Sequence, residues 1–199
     1  MTDSRVGRPG KPTPAREVGR TENGPDNAFK RVIQGGFRGP HGKQVPDHPW
    51  LTPEAMKFLE SILTPTSSVL ETGAGGSTIW IAKRAGMLVT YEHDRNWYEA
   101  IRRELDRRGI KNVLLFFCPS YPAEGFALDD EIFDVLLVDG RGRVRTIETA
   151  LNAVRRGGWI LLDNSERARY DSGKENLDAA CSEKRVFNDG WEATAWKKK

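Results

Sequence analysis

The sequence predicts an α/β fold: a doubly wound, mostly parallel sheet with helices on both faces. Three observations carry that prediction. Strand-length apolar runs without polar alternation, "VLLFFC", "FDVLLVD" and "GGWILLDN", read as strands buried on both faces. They alternate with segments of helical pattern, as parallel strands need for their crossovers. Near the end, "KRVFNDGWEATAW" reads as two strands joined through Asn188-Asp189-Gly190, a hairpin that places one antiparallel strand in the sheet.

Residues 1–45 form a basic, Pro/Gly-rich extension with no apolar period, expected to be largely disordered. Nine basic residues between Arg5 and Lys43 face four acidic ones there, so the extension is a solvated tail or, alternatively, an electrostatic arm for an anionic partner. The ordered domain spans 46–199. "LTPEAMKFLESIL" opens it as a helix, with Thr52 as N-cap, Pro53 at the first helical position, and Ala55, Phe58, Leu59 and Ile62 on one face. Ser68 to Glu71 is then a short strand and Ser77 to Ala85 a helix. "MLVTYEHD" is a strand ending in acids, and Arg95 to Arg108 is a charged helix stopped by Gly109. That helix reads as a solvated face, with Glu104 set to pair with Arg108. The strands at Val113 and Phe133 follow, then a helix over Val144 to Val154, the strand from Gly157, and the closing hairpin.

Composition narrows the function. The net charge of +3 is too small to argue for a nucleic-acid partner. No apolar run approaches membrane length, and none follows the N-terminus as a signal segment would, so no membrane association is expected. Two cysteines without CxxC spacing point to a reducing, cytoplasmic setting. They and the three histidines lack the spacing of a zinc site.

"VLETGAGGST" carries the most chemistry. A strand enters, Gly73, Gly75 and Gly76 turn the chain, and a helix leaves. Residues without side chains let the backbone approach a ligand, and a helix N-terminus offers unpaired N–H groups. A pyrophosphate loop would need glycine where Thr78 stands, and Glu71 would repel a pyrophosphate. Glu71 suits a cation such as an α-ammonium group. Glu92 ends the next strand, about twenty residues after the glycines, where an acid takes both ribose hydroxyls. Asp94 is a weaker substitute. The ends of the next strands, "FFCPSY" and "VDGRGR", lie where open α/β sheets bind ligands. Ammonium, ribose and base together describe S-adenosylmethionine.

On these residues the chain resembles the class I S-adenosylmethionine-dependent methyltransferases over roughly Trp50 to Trp196. "VLETGAGGST", "VTYEHD", "FDVLLVDG", "RRGGWILLDN" and the hairpin carry the resemblance, and Ser77 departs from it where many members have glycine. It implies a Rossmann-like sheet of seven strands in order 3-2-1-4-5-7-6, the seventh antiparallel. It also implies Glu71, Gly73 and Gly75 along the methionine moiety, Glu92 on the ribose, and Pro119, Ser120 and Tyr121 near the adenine. Ser77 and Thr78 are alternatively helix caps. Pro49 and Trp50 either cover the cofactor or pack in the core.

For the acceptor, the expectation is a small or medium polar molecule methylated at oxygen or nitrogen. Asp139 and Glu166 are the candidate bases, and Asp139 is alternatively an orienter of the cofactor. Arg141, Arg143, Asn164 and Arg167 are the candidate acceptor contacts, with Arg169 and Tyr170 at the same end of the sheet; the arginines suit an anionic group, against the alternative of a mutually paired charged rim. Metal-dependent O-methyltransferases use an Asp after strand four and an Asp-Asn pair after strand five, which would here be Asp139, Asp163 and Asn164. The adjacent arginines oppose a divalent metal, so a metal is not favoured. A nicotinamide-dependent oxidoreductase and a non-catalytic binding module are the rival readings.

Overall fold

The computed structural model describes residues 45–119 and 131–199. The expected disordered tail lies outside the described residues, apart from Val45, as do Ser120 and Tyr121. The strands are β1 (Ser68–Thr72), β2 (Met87–Glu92), β3 (Val113–Phe117), β4 (Phe133–Val138), β5 (Val154–Asp163), β6 (Cys181–Asn188) and β7 (Glu192–Lys198). The described α-helices are α1 (Pro53–Ile62), α2 (Gly76–Ala82), α3 (Arg95–Arg107), α4 (Arg143–Ala150) and α5 (Asp171–Ala180). The sheet order is β3-β2-β1-β4-β5-β7-β6. Only β7 runs antiparallel to its neighbours. This is the order and direction the resemblance implied.

Both faces of the sheet are buried, as the apolar runs required. On one face Leu70, Val89, Leu136, Val138, Ile160 and Leu162 pack with Ile147 of α4 and Leu177 of α5. On the other, Val69, Leu88, Val135, Leu137 and Leu161 pack with Ala55, Phe58 and Leu59 of α1 and with Trp80 of α2. Alternate residues of each strand thus feed opposite layers. The strand order reverses at the β1/β4 boundary, the place where an open α/β sheet forms a crevice at the carboxyl ends of its strands.

Local chemistry sets the element ends. Thr52 caps α1 by accepting the Ala55 N–H at 3.2 Å, a contact worth about 1 kcal/mol. Asp94 caps α3 through the N–H groups of Asn96 and Trp97. The expected Glu104–Arg108 pair forms at 2.6 Å, and Arg107 joins it. Those guanidiniums hold the Glu104 carboxyl down to about 2. The hairpin turns through Asp189, Gly190 and Trp191, with Gly190 at φ +87°.

Three boundaries differ from the sequence expectation. Helix α4 stops at Ala150, passes through a 3-10 turn (Leu151–Ala153), and β5 starts at Val154. The apolar Leu151 and Val154 prolong the helical pattern, but the chain needs Val154 to pair with Phe133. Helix α2 ends at Ala82, three residues early. Helix α5 was not expected, because "DSGKENLDAA" offers Leu177 as its one large apolar residue and Gly173 in its first turn. Gly173 is what lets α5 lie against α4, since a Cβ there would meet Ile147 Cδ1 at 3.0 Å.

Candidate functional site

The bend after β1 is built by close approach. Gly73 has φ +91°, and a Cβ on it would stand 2.8 Å from the Gly140 backbone after β4, so no other residue fits there without strain. A Cβ on Gly76 would strike the His48 carbonyl. The third glycine is thus required by the chain's own Val45–Trp50 strap. Val45 of that strap packs with Ala74, Ile79 and Ile101, and Asp47 pairs with Arg108. Gly75 differs. A Cβ on it would meet nothing closer than Ser77 Oγ at 3.9 Å, leaving open space beside the backbone. Trp50 is 44% exposed, against the expectation that it packs in the core, while Pro49 is buried.

Glu71 is wholly buried on β1. Its Oε2 accepts the Thr78 hydroxyl at 2.6 Å and the Thr90 hydroxyl at 2.8 Å. Thr90 is its register partner on β2. Thr78 also accepts the Gly75 N–H at 2.8 Å, which ties the carboxylate to the bend and caps α2. The other oxygen, Oε1, is buried and takes neither threonine hydroxyl. Burial raises the carboxyl to about 7 against the pull of the Ser77, Thr78 and Thr90 hydroxyls. A buried acceptor left unmatched is costly, and it fits a cation arriving at the bend.

A cavity of about 1380 Å³ opens at the carboxyl ends of β1, β2 and β4. Gly73, Ala74, Glu92, Asp94 and Trp97 line it, together with Asp139, Arg141, Arg143 and Tyr170. Glu71 is not part of that lining. Glu92 is 3% exposed, and its Oε1 accepts the backbone N–H groups of His93 at 2.8 Å and Asp94 at 2.7 Å. His93 Nδ1 stands 2.9 Å from the same oxygen. The carboxylate is thereby oriented through one oxygen. Burial raises its proton affinity, and the Asp94 N–H opposes the rise.

Beyond β4 the structure brings together three expected residues in an unexpected way. Arg143 is 7% exposed. Its guanidinium donates to the Asp139 carboxylate at 2.8 Å, to the Asp139 and Gly140 carbonyls, and to the Asp163 carbonyl. Asp163 Oδ2 lies 3.7 Å away. A guanidinium therefore stands between the two carboxyls that a divalent metal would need, and its donors are consumed inside the chain. Burial raises Asp139 well above the usual carboxylate range, the Asp163 carboxylate adds to this, and Arg143 opposes it. Trp191 of the hairpin donates to Asp163 at 3.0 Å. No sequence signal pointed to that contact, because it spans the turn of a hairpin and the end of β5.

Glu166, Asn164 and Arg167 lie off the cavity lining. Glu166 accepts the Glu192 N–H and is 3.6 Å from Arg167. Asn164 follows β5 at φ +51°. Arg141 and Arg169 do reach the cavity, together with Arg103 of α3, which did not stand among the expected contacts.

No protein-family pattern matches the chain, and no curated protein matches its sequence. Solved structures do match in fold. The tRNA methyltransferase TrmI of Aquifex aeolicus is 17% identical with a TM-score of 0.64, over 86% of this chain and 76% of that one. An S-adenosylmethionine-dependent O-methyltransferase of Thermotoga maritima is 14% identical with a TM-score of 0.61, over 76% and 67%. TYW2 of M. jannaschii, solved with S-adenosylmethionine, is 13% identical with a TM-score of 0.55, over 73% and 75%. Strand order, strand direction and these likenesses agree: the chain has the class I Rossmann-like methyltransferase fold.

Proposed function

We propose that the protein is an S-adenosylmethionine-dependent methyltransferase that methylates an oxygen or nitrogen of a small or medium polar acceptor. The observation that carries this is the bend after β1, where Glu71 is tied through Thr78 to the Gly75 backbone and Gly75 has open space beside it, while Gly73 and Glu92 line the cavity. These residues fit the cofactor: Glu71 and Gly75 for the methionine part, Glu92 for the ribose. When bound, the cofactor supplies an activated methyl on a sulfonium. The chain's own part is alignment and exclusion of water, and such positioning supplies about 7–11 kcal/mol in favourable cases.

Asp139 lines the cavity and is the proposed group for holding the acceptor's proton, because Arg143 fixes its carboxyl while burial keeps its proton affinity high. Glu166 lies off the lining and is not proposed for this. Titrating the full chain with S-adenosylhomocysteine and, separately, NAD tests the cofactor. Transfer of labelled methyl to an acceptor library then tests turnover. Uptake of NAD alone would replace this reading with an oxidoreductase. Uptake of S-adenosylhomocysteine without any transfer would favour a non-catalytic module.

A further inference from the structure

We infer that the acceptor is a small molecule with more than one negative group, held by Arg141 and Arg169 with Arg103 in the same cavity. The inference deepens the methyltransferase reading and rests on it only for the word acceptor. It comes from a charge account of one cavity. Every acid in the lining is already engaged. Glu92 takes two backbone N–H groups, Asp94 caps α3, Asp139 holds Arg143, and Glu148 lies 3.5 Å from Arg145. Among the arginines, Arg143 is spent on Asp139 and Asp163 and Arg145 is matched by Glu148.

Three cations remain. Arg141, Arg103 and Arg169 have no acid partner among the described residues. Among the described residues Arg169 donates to the Tyr170 hydroxyl, at 2.8 Å, with its guanidinium 4.9 Å from that ring's centre. The three come from three different elements: the turn after β4, helix α3 and the 3-10 turn after β5. Like charges turned toward one space repel, and an anion between them relieves that cost. Guanidinium forks match carboxylate and phosphate oxygens in pairs. A single carboxylate would use one fork, so three forks lining one cavity suit a polyanion. The cofactor's own α-carboxylate is a single anionic group and would take one fork, which leaves the other two for the acceptor.

The test uses the full chain preloaded with S-adenosylhomocysteine and titrated calorimetrically at fixed ionic strength with inorganic pyrophosphate and, separately, citrate. The two probes distinguish phosphate-bearing from carboxylate-bearing acceptors. Arg141→Gln and Arg169→Gln should each weaken the better probe by about tenfold or more. Arg102→Gln, on the exposed face of α3 where it pairs with Glu99, should change it by less than about twofold. Equal loss in the Arg102→Gln control would show a diffuse field and overturn the site. Displacement of S-adenosylhomocysteine by the probe would put the anion in the cofactor crevice and overturn its role as acceptor contact. If a single-stranded RNA bound tightly while both probes failed, the small-molecule assignment would fall. If the probes bound normally but S-adenosylhomocysteine did not, the cofactor reading would fall and the anion site would stand.

Discussion

Glu71 on β1 and Thr78 in α2 are joined at 2.6 Å, and through Thr78 the buried carboxyl is tied to the Gly75 backbone. Cofactor chemistry and loop shape are therefore coupled through one hydroxyl. The arrangement leaves one carboxyl oxygen for an incoming group.

Glu71 should make both stability and cofactor affinity depend on pH. Its carboxyl moves from 4.5 to about 7 on folding, so folding takes up a proton between those values. The stability it contributes is fully present below about 4.5 and is lost as pH rises through about 7. The span corresponds to about 3 kcal/mol at most. Glu71→Gln should flatten stability between pH 5 and 8 in denaturant titrations. The wild type should bind S-adenosylhomocysteine more tightly as pH rises through 7, releasing a proton that calorimetry in buffers of different ionisation heat detects. A wild-type affinity with no pH dependence would remove Glu71 from the ammonium site.

Glu92→Ala should weaken S-adenosylhomocysteine by about 1.5–3 kcal/mol, the value of hydrogen bonds to a charged group. Unchanged affinity would contradict the ribose role.

The glycines should separate by function. Gly76→Ala sets a methyl against the His48 carbonyl and should cost about 1–3 kcal/mol of stability through overpacking. Gly75→Ala meets only Ser77 Oγ at 3.9 Å. It should melt like the wild type yet bind S-adenosylhomocysteine poorly. The reverse pattern would mean that Gly75 serves the fold.

Arg143→Met should destabilise by about 2–4 kcal/mol at pH 8, because it strips the cation from the buried Asp163 carboxyl and the half-buried Asp139 carboxyl. At pH 5 the loss should shrink as those carboxyls take up protons. An equal loss at both pH values would show that Arg143 acts by packing alone.

The basic extension has no apolar period in its sequence from which to build a core. Deleting residues 1–30 should leave the thermal midpoint nearly unchanged. A large drop would make the extension part of the core.

The sequence by itself determined the layered fold, the bend at Gly73 and the two acids beside it. Buried parallel strands advertise themselves as unbroken apolar runs, and a turn packed against another backbone admits only glycine. It also carried the Glu104–Arg108 pair, since neighbours one helical turn apart meet whatever else the chain does. Tertiary structure alone decided which charges remain available. Arg141 and Arg143 are indistinguishable in "GRGRVR", yet α4 buries Arg143 between Asp139 and Asp163 while Arg141 stays at the cavity. Glu166 looks like a base beside the end of β5 until β7 claims it through Glu192. Arg103 is an ordinary helix-face residue until the fold turns it toward the crevice. Helix α5 shows the same dependence, because its stability comes from packing Gly173 and Leu177 against α4 and the sheet and not from a pattern within its ten residues. Local pattern reports which residues are buried or bent. Charge pairing is a property of distances between segments far apart in the chain, and those exist only once the layers have closed.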